Sequence, residues 1–126
     1  MSTTITPYLL YEDGAAAIDF LTAAFGFEEV MRMEDGGVVN HAELRLGEDS
    51  VMLGYPGDDY KSPKKADHRS GLVHVYVDDV DAHFERAKAA GAEIIMEPTD
   101  QEYGDRRYDA FDPEGQFWSF ASPLSG

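Results

Sequence analysis

In "GLVHVYV", residues 71–77, Val73, Val75 and Val77 alternate with Leu72, His74 and Tyr76. A period of two with one β-branched face predicts a strand that packs its valines under a helix and turns its other side outward. A second apolar run, "ITPYLLY" at 5–11, has the same strand character. After each run the period changes. Ile18, Leu21 and Phe25 fall at i, i+3 and i+7, and Val80, Phe84 and Ala87 at i, i+4 and i+7, so each segment presents one apolar stripe of a helix. Asp13 and Asp79 stand where a carboxylate takes up the free N–H groups of a first helical turn. Gly26 and Gly91 stand where a left-handed residue ends one.

Beyond each glycine the strand pattern returns, as "FEEVMRM" and "AEIIMEP". The halves then close alike: "VVNHAELRLGEDSVMLGYP" and "RRYDAFDPEGQFWSFASP" both read strand, turn, strand, and "EDGG" at 34–37 is a hairpin turn. Asp13 to Asp79, Ser50 to Gln116 and Val51 to Phe117 are each 66 residues apart. The pattern is a βαβββ unit written twice, an α+β chain that arose by duplication. It predicts one domain over 1–126, with module one at 1–56, a polar, turn-rich linker at 57–70 and module two at 71–126. One such unit cannot cover both faces of its own four-stranded sheet, so it needs a twin, from this chain or another.

The chain's 126 residues with 43% hydrophobic content are enough for one ordinary core. Twenty-five acidic against ten basic residues give a formal charge of −15, which repels phosphate backbones and anionic lipid surfaces. Nucleic-acid and membrane partners are therefore not expected. The same field favours a cationic ligand, and it equally suits a surface kept soluble in a salt-rich cytoplasm. With no cysteine, disulfides, thiolate metal sites and cysteine nucleophiles are excluded. "MSTTITPYLLYED" has neither the basic start nor the apolar stretch of a secretion signal, so the expected location is the cytoplasm.

Three stretches, "TPYLLYEDGAAAIDFLTAAFGF", "HVYVDDVDAHFERAKAAGAEI" and "YGDRRYDAFDPEGQFWSFASP", resemble the vicinal oxygen chelate superfamily, which includes glyoxalase I, extradiol dioxygenases, fosfomycin-resistance enzymes and bleomycin-resistance proteins. The resemblance covers nearly the whole chain. It implies two βαβββ modules curling a mixed sheet around one cleft, usually within a homodimer. It also implies, in the family's enzymes, a divalent metal on His and Glu from the first and last strands of both modules. Setting this chain in that register puts Thr6, Leu53, Leu72 and Ser119 at the ligand positions, with Thr6 to Leu72 and Leu53 to Ser119 again 66 apart. None is a usual ligand, and two leucines cannot donate. The reading is that no cofactor is held there. A displaced set, His41 and Glu43 on one strand face with His74, is the alternative.

By alternation, the cleft is expected to be lined by Thr6, Tyr8, His41, Glu43, Leu53, Tyr55, Leu72, His74, Tyr76, Phe117 and Ser119, with Leu10 and Ala121 beside them. Rings and a few hydroxyls suit a flat or amphipathic organic molecule. Ser119 shows no placed His–carboxylate partner, and no phosphate-binding glycine loop is present. His68 and His83 read as surface histidines. Together these readings predict a metal-independent small-molecule binder nearest to the bleomycin-resistance type, a homodimer sequestering a cationic or aromatic antibiotic. The rivals are a metal-dependent lyase or dioxygenase using His41, Glu43 and His74, or ligands lent by a partner chain, and a dimeric accessory that has lost its ligand.

Overall fold

The computed structural model describes residues 3–124. The elements are β1 (Tyr8–Leu10), α1 (Gly14–Phe25), β2 (Glu28–Asp35), β3 (Val38–Leu46), β4 (Asp49–Gly54), α2 (Pro63–Ala66), β5 (Val73–Tyr76), α3 (Val80–Ala89), β6 (Glu93–Asp100), β7 (Asp105–Phe111) and β8 (Phe117–Pro123). They form two four-stranded mixed sheets, ordered β1-β4-β3-β2 and β5-β8-β7-β6. In each, the first strand runs parallel to the last and the other pairings are antiparallel.

Local chemistry sets the boundaries. Asp13 and Asp79 each accept from the backbone N–H three residues on, at 3.1 Å. Gly26 caps α1 with φ of 84°. α3 ends on Ala90, and Gly91 with φ of 93° turns the chain away. Gly36 and Gly37, with φ of 59° and 82°, form the two-residue turn between β2 and β3, which needs positive φ at both positions. β1 is shorter than its apolar run because Pro7 has no N–H to donate. Its carbonyl still accepts from the Met52 N–H at 2.9 Å, and the Tyr11 N–H donates to Gly54 O at 3.0 Å, so β4 grips the run beyond the strand proper.

The two sheets share one core. α1 contributes Ile18, Leu21, Ala24 and Phe25, and α3 contributes Val80, Phe84 and Ala87. Phe25 lies 4.7 Å from Phe120 and 5.5 Å from Trp118, centroid to centroid, and Phe27 is 5.6 Å from Trp118. The last turn of α1 is thus buried against the last strand of the chain, which joins the two halves in one core. Val73, Val75 and Val77 pack against this core. Among the described residues no helix is long and apolar enough to cross a membrane.

Two expectations are corrected. His83 is not a surface residue: it stacks 4.3 Å from Phe120, its Nε2–H donates to Phe25 O at 2.8 Å, and its Nδ1 accepts from the Tyr108 hydroxyl. One turn on, Arg86 donates to Ala23 O at 2.9 Å and to Thr22 O at 3.0 Å. Together they cap three carbonyls at the C-terminus of α1 from the other helix, an environment that the polar neighbours of His83 in sequence conceal.

Leu53 is the second correction. It is 1% exposed, in the core, and it pairs with Leu9. Equivalent residues are 66 apart up to the third strand of each half, but 67 apart in the last. Arg45 pairs with Ser50 and Phe111 with Phe117, so four residues separate the first pair and five the second. The extra residue in the Asp-Pro-Glu-Gly turn shifts the last strand by one position, and a shift of one exchanges the two faces. Met52, not Leu53, is the counterpart of Ser119.

Candidate ligand-binding site

Each sheet has a face turned away from the core. On the first it carries Tyr8 and Leu10 from β1, Met52 and Gly54 from β4, and His41 and Glu43 from β3, as the register of cross-strand partners requires. The Tyr8 ring lies over Gly54, where an added Cβ would come within 2.6 Å of Tyr8 Cε1, and its hydroxyl reaches His41 Nδ1 at 2.9 Å. Gly54 therefore lets Tyr8 lie flat along the sheet.

The corresponding face of the second sheet is a layer of paired polar groups. His74 Nδ1 and Ser119 Oγ are 3.0 Å apart, bringing together two residues that sequence reasoning left unconnected. Ser119 is fully buried, so this hydrogen bond orients His74 rather than presenting a nucleophile. Tyr76 donates to Asp105 at 2.7 Å, which holds its phenol above the ordinary range. Arg107 pairs with Asp109 through two contacts, of 2.7 and 3.2 Å. Ala121, beside these groups, is buried outside the hydrophobic core cluster, as its outward face requires.

Between the sheets, where β1 and β5 do not pair, lies an open cavity of about 390 Å³ lined by Tyr8, Leu10, Leu72 and Phe117, with Tyr60, His68, Arg69 and Gln116 also in its wall. Tyr8, Leu72 and Phe117 belong to the cleft expected from alternation. Tyr60, His68, Arg69 and Gln116 do not. Tyr60 and Gln116 both donate to Leu10 O, at 3.1 and 3.0 Å, which ties the linker and the β7–β8 turn to the end of β1. An aromatic residue inside the polar linker was the available signal for Tyr60; contacts reaching 50 residues back have no local signature.

Other predicted site residues lie elsewhere. Tyr55 donates to Asp58 in the following loop, and Thr6 is exposed just before β1. His41, Glu43 and His74 do not converge, because β4 and β1 stand between β3 and the edge of the first sheet. His41 is held by Tyr8, Glu43 accepts from Ser50 at 3.4 Å, and His74 is held by Ser119. Among the described residues no three His, Asp or Glu side chains are placed to hold a metal ion. With the register corrected, the ligand positions that the resemblance implies fall on Thr6, Met52, Leu72 and Ser119. That set of one thioether, two hydroxyls and an alkyl group does not fit a divalent cation.

The model of the Glyoxalase/Bleomycin resistance protein/Dioxygenase superfamily matches residues 4–120. The chain belongs to this superfamily. An uncharacterised protein of Mycobacterium bovis is 36% identical over 127 residues, covering 95% of this chain and 83% of that protein. Of solved structures, TioX from Micromonospora sp. ML1 is 34% identical with a TM-score of 0.79, covering 98% of this chain and all of that one. The fosfomycin resistance protein FosX from Mesorhizobium loti has a TM-score of 0.71 at 14% identity, covering 98% and 94% of the two chains, a likeness of fold alone.

Proposed function

We propose that the chain binds a small ring-bearing organic molecule in the cavity between β1 and β5, without a metal, and that the consequence is sequestration of a drug. One observation carries this reading. Where a superfamily enzyme would place metal ligands, this chain has Thr6, Met52, Leu72 and Ser119, and Leu72 opens onto a cavity walled by the rings of Tyr8, Tyr60 and Phe117. A volume of about 390 Å³ falls in the range of small-molecule sites. Ring faces are suited to stacking on flat molecules. Resistance proteins occur in the superfamily by its description, and FosX is one of the fold's members.

A homodimer belongs to the same proposal. Met31 and Met33 on β2, opposite Glu43 and His41, are exposed, as is Tyr8 at 52%, and a second copy covering the outer face of the first sheet would bury them.

The test is equilibrium dialysis and thermal shift against ring-bearing antibiotics of positive, neutral and negative charge, in the presence of EDTA. At least one compound binding saturably in EDTA at one site per chain is the expected result. Binding or turnover that appears only on adding a divalent metal would replace sequestration with metal-dependent chemistry.

A further inference from the structure

We infer that this cavity recognises an anionic ligand, a flat ring system bearing a carboxylate or similarly acidic group. The inference rests on the binding role proposed above and narrows it. The whole chain argues the other way, with 25 acidic residues against 10 basic. Yet no Asp or Glu lines the cavity, while Arg69 and His68 do.

Arg69 is the decisive residue. It is half-buried, its Nε–H donates to Gly115 O at 2.6 Å, and its guanidinium carbon lies 3.7 Å from the centroid of the Phe111 ring. Arg32, Arg45, Lys65, Arg106 and Arg107 all pair with carboxylates, but among the described residues Arg69 makes no ion pair. Arg69 also lines a neighbouring groove, with Phe111, Gly115 and three carboxylates, Asp67, Glu93 and Asp112, none of which pairs with it. A backbone carbonyl and a ring face thus fix the group in place without neutralising it. Its remaining N–H groups form a fork of the kind that matches a carboxylate.

The distant negative surface does not cancel this local charge. At physiological ionic strength fields decay over about 8 Å, whereas a carboxylate in contact with a partly buried guanidinium is screened far less. The rings of Tyr8, Tyr60 and Phe117 then take the flat body of the ligand, and Arg69 with His68 takes its acidic end.

The test compares naphthoate, naphthalenemethanol and naphthylmethylammonium by calorimetric titration of the full chain. Naphthoate should bind about tenfold more tightly than the alcohol, the worth of one charged hydrogen-bonded contact at a half-exposed site. The ammonium compound should bind most weakly, and naphthoate affinity should fall as salt is added. Arg69→Gln should lower naphthoate affinity about tenfold and so remove its preference over the alcohol. If that variant does not fold, the ranking and the sign of the salt dependence in the unmodified chain decide the matter. Tightest binding by the ammonium compound, naphthoate affinity that rises with salt, or a preference that survives Arg69→Gln would each overturn the inference while leaving the binding role standing. No binding by any of the three removes both.

Discussion

Asp112 is the place where a single substitution should do most damage. The residue is 4% exposed and its carboxylate accepts four hydrogen bonds. Oδ1 takes the N–H groups of Glu114 and Gln116 at 3.1 and 3.0 Å, and Oδ2 takes the Tyr11 hydroxyl at 2.6 Å and Trp118 Nε1–H at 3.1 Å. Tyr11 and Trp118 are themselves buried, so Asp112→Ala orphans two buried donors at about 1–3 kcal/mol each. The two backbone groups are only partly buried and can find water. The expected loss is about 3–5 kcal/mol, a large part of a small domain's stability. Asp112→Asn should cost about 1–3 kcal/mol, because whichever way the amide sits, its NH₂ meets an N–H that can only donate. The partners also predict a coupling. In a Tyr11→Phe background one donor is already gone, so Asp112→Ala should cost about 1–2 kcal/mol less than in the parent. Urea unfolding followed by the fluorescence of Trp118, the chain's one tryptophan, and by far-ultraviolet circular dichroism measures all five species. A cost below about 1 kcal/mol for Asp112→Ala, or strict additivity with Tyr11→Phe, would refute the reasoning.

Three more outcomes follow from named contacts. Burial holds the His83 imidazole below its usual range, so the folded state favours the neutral ring. Its contribution is fully present above the ordinary histidine value of about 6.5 and is lost as pH falls below it; between pH 7.5 and 5.5 the unmodified chain should lose stability relative to His83→Gln, and parallel stability profiles would contradict this. The register is tested by neighbours: Leu53→Ala should cost about 2–5 kcal/mol and Met52→Ala under about 1 kcal/mol, whereas the reverse order would restore Leu53 to the open face. Gly54→Ala forces the Tyr8 ring to move, and because that ring is exposed the stability cost should stay under about 1 kcal/mol while the chemical shifts of His41 change; an unmoved His41 would show that Tyr8 does not depend on Gly54.

What the sequence disclosed was whatever short-range chemistry controls. Asp13 and Asp79 act on N–H groups three residues away, Gly36 and Gly37 on their own turn, and the valines of β5 on a period of two, so caps, hairpin and facing were all legible. The site was legible only in part. Tyr8, Leu72 and Phe117 were placed by alternation and do line the cavity. Leu53 was misplaced because the repeat was extended through a turn that carries one more residue in the second half, and one residue is enough to turn a strand over. That same turn ties the second half to the first: Glu114 accepts from the Glu12 and Asp13 N–H groups at 2.7 and 2.8 Å, and Gln116 donates to Leu10 O. Long-range bonds leave no periodicity behind, and so Arg69, Tyr60 and His83, whose partners lie 25 to 58 residues away, stayed hidden in segments that look polar and ordinary.

The account stands or falls on where a ring-bearing ligand sits. Chemical-shift mapping of the labelled chain with naphthoate locates it directly. Saturable shifts centred on Tyr8, Leu10, Leu72 and Phe117, unchanged by EDTA, are the predicted result. Shifts confined to residues away from these strands, or appearing only when a divalent metal is added, would contradict it.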